Sequence, residues 1–237
     1  MLSLNILFPV LNEERRLERG IETTLAYLER NFSSPYVLTI VDNGSTDKTS
    51  EISHALCKRH EQVRYIRTEQ KGVGVAFQAG AAQSSADITG YMDVDLSTDI
   101  AHLSEMYEIF EKESDVQIVN ASRHNKKSKV TGRKWYRTIT SRGLIFLVRL
   151  VFKVKSSDVI CGFKFFRKDA LTKLIKETAS DNGWFYIIEL LIRAERMGMN
   201  IRELPVRWQD DLDTTVNVKK TTVDYIKKII ALKQRLR

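Results

Sequence analysis

Proline is scarce in this chain of 237 residues: only Pro9, Pro35 and Pro205 occur, so little interrupts regular helices and strands. Cysteine is scarcer. Cys57 and Cys161 stand far apart, without a CxxC, beside only four histidines. That excludes a disulfide framework and a cysteine–histidine zinc site, and it fits a reducing, cytosolic setting. No run reaches the roughly 18 consecutive apolar residues that span a bilayer, and the N-terminus lacks the charged-then-apolar pattern of a signal peptide. Low-complexity sequence, internal repeats and linkers are also missing, and a 43% hydrophobic content is enough for one compact domain.

Acidic residues are absent from one long stretch. Between Arg123 and Lys155 lie eleven lysines and arginines and no aspartate or glutamate, and from Lys219 to Arg237 there are seven against the single acid Asp224. The net charge of +8 is therefore concentrated, and both stretches interleave basic with apolar side chains. Such a distribution points to an anionic partner: nucleic acid, an anionic membrane surface or a phosphorylated substrate.

The first half alternates short apolar runs (4–8, 37–41, 63–66, 88–92 and 116–119) with stretches of helical spacing (13–30, 46–60, 73–84 and 99–113). Strands alternating with helices predict a Rossmann-like α/β fold, a mostly parallel central sheet flanked by helices. In such a sheet ligands sit at the carboxyl ends of the strands, so the polar clusters after the first, second and fourth runs share one crevice. Beyond residue 133 the alternation fails. A helix-like stretch containing Leu144 to Phe152 precedes the run Val159 to Phe166, and a helix pair and a strand ending at Trp208 follow. The chain closes on a basic amphipathic helix, 219–237.

The chemistry concentrates at Asp93-Val94-Asp95. Both carboxylates follow a strand directly, and alternation turns both to one side, where they repel unless a cation joins them. Mg²⁺ or Mn²⁺ takes one or two carboxylates and completes its shell with water and phosphate, which suits a nucleotide diphosphate. Taken alone the tripeptide is also an ordinary solvated turn with Asp99 as helix cap. Asp42-Asn43-Gly44-Ser45-Thr46-Asp47, Pro9 to Glu14 and Lys71-Gly72-Val73-Gly74 each have a similarly plain reading as turn, helix start or loop.

In combination these segments resemble glycosyltransferase family 2, the inverting enzymes of GT-A fold. The family's P-x-x-N-E, V-D-[DN]-G-S-T-D, K-G-x-G and D-x-D patterns stand here in order. The likeness continues in Ser122-Arg123, in Arg137 followed by Ser141, in Asp158 to Arg167, and in Trp184 with Glu189. It covers nearly the whole chain and is greatest to the polyprenyl-phosphate sugar synthases of the dolichyl-phosphate mannose and glucose type.

The resemblance implies a donor site at Pro9, Asn12, Glu13, Asp42, Asn43, Lys71, Gly72 and Asp93, with Asp42 toward the base. It places the metal at Asp93 and Asp95 with Ser97, which stands where a glutamine often assists. It assigns the acceptor phosphate to Arg123, Arg133, Arg137 and Ser141, and sugar or acceptor contacts to Gly162, Trp184 and Glu189; Ile187 replaces a frequent acid. Asp93, Asp95, Arg123 and Arg137 would carry catalysis. Residues 1–218 would form the GT-A domain, with a nucleotide-sugar half (1–122) and an acceptor half (123–218).

The implied reaction moves a hexose from a nucleotide sugar, UDP-glucose favoured and GDP-mannose possible, to a polyprenyl phosphate. A phosphate monoester is largely dianionic at pH 7 and needs no strong base. A lipid acceptor fits a protein peripheral to the inner face of the cell membrane, with Leu144 to Phe152 and residues 219–237 against an anionic leaflet. Core packing is the other reading of those apolar residues. Two further functions compete. A family 2 transferase acting on a hydroxyl of a cell-surface polysaccharide would need a base, with Glu189, Asp210 and Asp211 as candidates. A nucleic-acid-binding module would use the same positive charge, yet Trp135 and Tyr136 come with no recognised nucleic-acid motif, so no nucleic-acid partner is expected.

Overall fold

The computed structural model describes residues 1–178, 181–210 and 218–236, and side chains of all of these except 218–223. Asp211, one of the candidate bases, and the side chain of Val223 lie outside the described residues.

Strand β1 (Leu4–Val10) is buried on both faces, which explains its near-continuous apolar run. Helix α1 (Leu17–Asn31) buries Leu17, Ile21, Leu25 and Leu28, the one-face spacing of a helix lying on a sheet. The alternation continues through β2 (Tyr36–Asp42), α2 (Thr49–Arg59), β3 (Val63–Arg67), α3 (Val73–Ala82), β4 (Ile88–Met92), α4 (His102–Lys112) and β5 (Ile118–Ser122). The fifth strand begins two residues later than the apolar run suggests. Val116 is buried, but its amide closes a turn onto the Glu113 carbonyl at 3.2 Å.

The second half comprises β6 (Lys129–Thr131), α5 (Trp135–Phe152), β7 (Phe163–Arg167), α6 (Lys168–Glu177), α7 (Phe185–Arg196), β8 (Ile201–Pro205), β9 (Arg207–Gln209) and α8 (Val218–Arg235). The main sheet has the order β3-β2-β1-β4-β7-β5-β8, and β6 pairs with β9 in a small second sheet. All pairings are parallel except those of β7, which runs antiparallel between β4 and β5. Only Phe163 onward of the run Val159 to Phe166 is strand; Val159 and Cys161 are buried in the loop before it.

The architecture is the expected mostly parallel sheet flanked by helices in one domain. One apolar layer packs α1, α2 and α4 on one face, and the other packs α3 and α5 to α8 on the opposite face. Consecutive residues of β1 divide between them: Ile6 and Phe8 serve the first and Leu7 the second.

Candidate functional site

Because β2, β1, β4 and β5 point the same way, the segments following them meet at one edge of the sheet. Antiparallel β7 delivers its amino end to that edge. Its register, Met92 opposite Phe163, sets Asp93 beside Gly162.

The turn after β4 holds Leu96 at φ 58°, and Asn12 after β1 stands at φ 57°. Left-handed backbone at non-glycine residues costs energy and clusters at functional sites. The Leu96 amide donates to the Asp93 carbonyl at 3.2 Å, and the Ser97 amide donates to Asp95 Oδ1 at 2.8 Å. Ser97 is buried and orients Asp95 through its backbone.

Among the described residues no hydrogen bond or ion pair reaches the Asp93 carboxylate. Its pKa is raised to about 8, first by desolvation and then by the charge of Asp95, with Arg123 and Lys164 pulling it down. Two carboxylates that disfavour each other's charge in this way are a fitting pair for a divalent cation. No group of three or more His, Cys, Asp or Glu side chains gathers among the described residues. The donor set is therefore sparse and oxygen-only, as Mg²⁺ or Mn²⁺ prefers when phosphate and water complete the shell.

On the donor side, Asp42 is held by the protein itself. It is fully buried, and its carboxylate accepts the Ser45 amide at 2.8 Å, the Tyr65 hydroxyl at 2.9 Å and Arg67 Nη1 at 3.0 Å. These three bonds hold the loop after β2 and fix the carboxylate at the end of the strand, with Oδ1 accepting a single bond. Asn43 is likewise a clamp: its Nδ2 donates to the Val10 carbonyl at 2.7 Å and its Oδ1 accepts the Gly72 amide at 3.0 Å. Asn12 Oδ1 accepts the Thr46 amide at 2.8 Å, and the Glu13 amide donates to Thr49 Oγ1 at 2.8 Å while its carboxylate pairs with Arg16. Pro9 is partly buried in β1. Lys71 is exposed and has no ion pair among the described residues.

On the acceptor side, Arg123 forms a bidentate pair with buried Asp158, at 2.8 and 3.1 Å. Burial opposes the Asp158 charge, but Arg123 prevails and holds its pKa down at about 2. The Arg123 guanidinium also stacks 4.8 Å from the Trp208 ring centre. Trp208 Nε1 reaches Asp210 Oδ1 at 3.5 Å, and Asp210 takes Arg137 at 2.6 Å with Arg133 at 3.8 Å. Arg123, Arg133 and Arg137 are thus gathered around Trp208 and Asp210. Arg133 Nε is buried without a partner, and burial lowers the Arg133 pKa to about 10. Ser141 Oγ lies 3.4 Å from His124 Nε2.

Gly162 touches Asp93, since a Cβ built on it would fall 2.0 Å from Asp93 Oδ2. The Trp184 ring lies tilted against that of buried Tyr91, with ring centres 6.2 Å apart. Glu189 is buried and bound by Arg193 at 2.8 Å and Arg235 at 3.2 Å, which ties α7 to α8. Neither Glu189 nor Asp210 is a free base.

Three participants were not among the expected site residues. Asp158 and Trp208 order the arginines, and Lys164 is a fully buried amine that donates to the Cys161 carbonyl and whose charge acts on Asp93. Burial lowers the Lys164 pKa to about 8. A lysine inside the apolar strand Phe163-Lys164-Phe165-Phe166 was the available signal.

Sheet order, paired carboxylates and an arginine cluster at one edge define a GT-A protein. The chain belongs to glycosyl transferase family 2, whose profile matches residues 5–175. It is 30% identical over 219 residues to the glycosyltransferase AglD of Haloferax volcanii, covering 92% of this chain and 35% of that protein. It is 30% identical to a dolichyl-phosphate β-glucosyltransferase of Drosophila melanogaster, covering 88% of this chain and 68% of the relative. The chain thus spans about a third of the former and about two thirds of the latter. Among solved structures, glucosyl-3-phosphoglycerate synthase of Mycobacterium tuberculosis, crystallised with Mn²⁺, UDP-glucose and phosphoglyceric acid, shares the fold at TM-score 0.73 and 18% identity, over 98% of this chain and 80% of that one.

Proposed function

We propose that this chain is an inverting glycosyltransferase that moves a hexose from a nucleotide sugar, UDP-glucose in the first instance, to a polyprenyl phosphate at the cytoplasmic face of a membrane. The observation that carries the reading is the unpartnered Asp93 carboxylate beside Asp95, at the same edge as the Arg123, Arg133 and Arg137 cluster. The dolichyl-phosphate glucosyltransferase relatives support the phosphate acceptor.

Asp93 and Asp95 would hold Mg²⁺ or Mn²⁺, which when bound supplies charge stabilisation to the departing diphosphate. Lys71 adds a cation on the donor side. Arg137 and Arg123 bring the acceptor dianion against a second anion, and in-line placement does the rest. An acceptor phosphate oxygen forms the new bond to the anomeric carbon with inversion, the bond from that carbon to the diphosphate oxygen breaks, and the nucleoside diphosphate leaves with the electron pair. No proton has to be removed, in keeping with the arginine-bound state of Glu189 and Asp210.

The membrane partner is read from the surface. Helix α5 buries Leu144, Ile145, Val148 and Phe152 in the core, so half of its apolar stretch is packing. Its other face exposes Trp135, Ile139, Phe146 and Leu150 in a stripe of helical spacing. Phe146 and Leu150 of that stripe form part of the wall of a groove of about 580 Å³, which His124, Arg142, Arg149 and Lys153 also line. Helix α8 divides in the same way: Tyr225, Ile229 and Leu232 are buried, while Ile226 and Ile230 are exposed. No helix among the described residues is long and apolar enough to cross a membrane. Exposed apolar side chains beside basic ones on α5 and α8 suit an interfacial contact.

Incubation with Mn²⁺, a panel of nucleotide sugars and a short polyprenyl phosphate, followed by mass spectrometry, tests the reaction. A glycosyl phosphate-linked lipid is the expected product, and its absence with every phosphate acceptor would sink the proposal.

A further inference from the structure

Two glycines of the Lys71–Gly74 segment are pressed against a turn contributed by the far half of the chain. A Cβ on Gly72 would fall 1.9 Å from the Asn182 carbonyl oxygen, and one on Gly74 would fall 2.2 Å from that of Asp181 and 2.7 Å from that of Gly183. The Gly74 amide donates to the Asn182 carbonyl at 3.0 Å. Backbones packed this closely leave no slack, so a shift of 181–183 is felt at 72–74.

Asp181 closes the turn by accepting the Gly183 amide at 2.8 Å. The same carboxylate is gripped by Lys228 of α8 at 2.9 Å, and Lys228 also pairs with Asp224 at 3.0 Å. Side-chain exposures of 28% for Lys228 and 17% for Asp181 place this pair below the screening that makes open surface pairs nearly worthless. On the other side, Gly72 is held by Asn43, which is held by Val10. A continuous chain of contacts therefore runs from α8 through the turn to the ends of β1 and β2. Helix α8 is itself seated by Tyr225, Ile229 and Leu232 in the core and by Arg235 on Glu189.

We propose that Lys228 is a positioning residue for the donor site: through Asp181 and the 181–183 turn it fixes the backbone of Lys71–Gly74, so that the seating of α8 sets nucleotide affinity. This rests on the reading of Lys71–Gly74 as donor-binding. The mechanical link can be measured without it.

In the ligand-free protein, hydrogen exchange at Gly74 should accelerate about tenfold in Lys228→Met and in Asp181→Asn, with no further gain in the double variant. Lys228→Arg should restore protection, and Lys227→Met, an exposed neighbour on the same helix, should leave it unchanged. UDP with Mn²⁺ should bind about fivefold to tenfold more weakly to Lys228→Met by calorimetry, while KM for a polyprenyl phosphate stays the same. Unchanged exchange at Gly74 overturns the link, as does a general rise that also takes in Phe185–Ile192. Faster exchange with unaltered UDP affinity overturns the positioning role. A wild-type protein that binds no nucleoside diphosphate overturns the donor reading and that role with it, and the exchange result then bears on the contact alone.

Discussion

The carboxylate of Asp93 occupies the space that a side chain on Gly162 would fill, because Cβ there would lie 2.0 Å from Oδ2. Antiparallel β7 makes this contact, through the pairing of Met92 with Phe163. Gly162→Ala should therefore push Asp93 out of place without touching the core. Misplacement of a reacting group by an ångström costs about 10²-fold, and a drop of that order in kcat, with Mn²⁺ affinity reduced in parallel, is expected. Thermal unfolding should change little.

Asp95→Asn should abolish metal-dependent transfer while leaving the fold intact. It removes the neighbouring charge that, after burial, raises the Asp93 pKa, so the metal-free variant should unfold at the same temperature as the parent or slightly above it. Retained activity across a Mn²⁺ titration would remove the feature on which the proposed reaction rests.

Asp158→Asn leaves the Arg123 guanidinium uncompensated in the protein interior. A loss of roughly 3–5 kcal/mol in urea unfolding is expected. The acid limb follows from the same pair. The folded-state pKa of about 2 lies below the ordinary value of about 3.9, so the stabilisation is fully present above about pH 4 and fades as pH falls toward 2. Unfolding midpoints at pH 5, 4 and 3 should decline in the parent, and the decline should be shallower in Asp158→Asn.

Glu189→Gln separates the two acceptor chemistries. The carboxylate holds Arg193 and Arg235, so the variant should lose about 1–3 kcal/mol of stability and keep transfer to a phosphate acceptor within about tenfold. A loss of several orders of magnitude, with binding intact, would favour a hydroxyl acceptor and a base at this position.

Paired replacement of Phe146 and Leu150 by serine addresses the exposed stripe of α5. Both side chains are about two thirds exposed, so stability should hold within about 0.5 kcal/mol. Flotation with anionic liposomes should fall sharply in the variant. Equal flotation would refute interfacial contact through α5.

The parallel half of the fold was legible from residues 4 to 122, because period-2 and period-3.6 patterns report which face of a local element meets the core. So was the position of the motifs at strand ends, since successive strands of a parallel sheet deliver their polar tails to one edge. The sequence by itself determined the family, the carboxylate pair and the acid-free basic stretch.

What only the tertiary structure decided were relationships between distant residues. The insertion of β7 between β4 and β5, and with it the place of Gly162 against Asp93, depends on a pairing that no local pattern records. No local pattern shows that Asp42 accepts three internal hydrogen bonds, or that Arg123 and Arg137 carry Asp158 and Asp210 as partners. The apolar run of α5 looked uniform, and packing on one side alone split it between core and surface. The physical reason is common to all of these: periodicity encodes burial of an element against its sheet, whereas ion pairing and close backbone approach are settled by which segments the folded chain brings within a few ångströms.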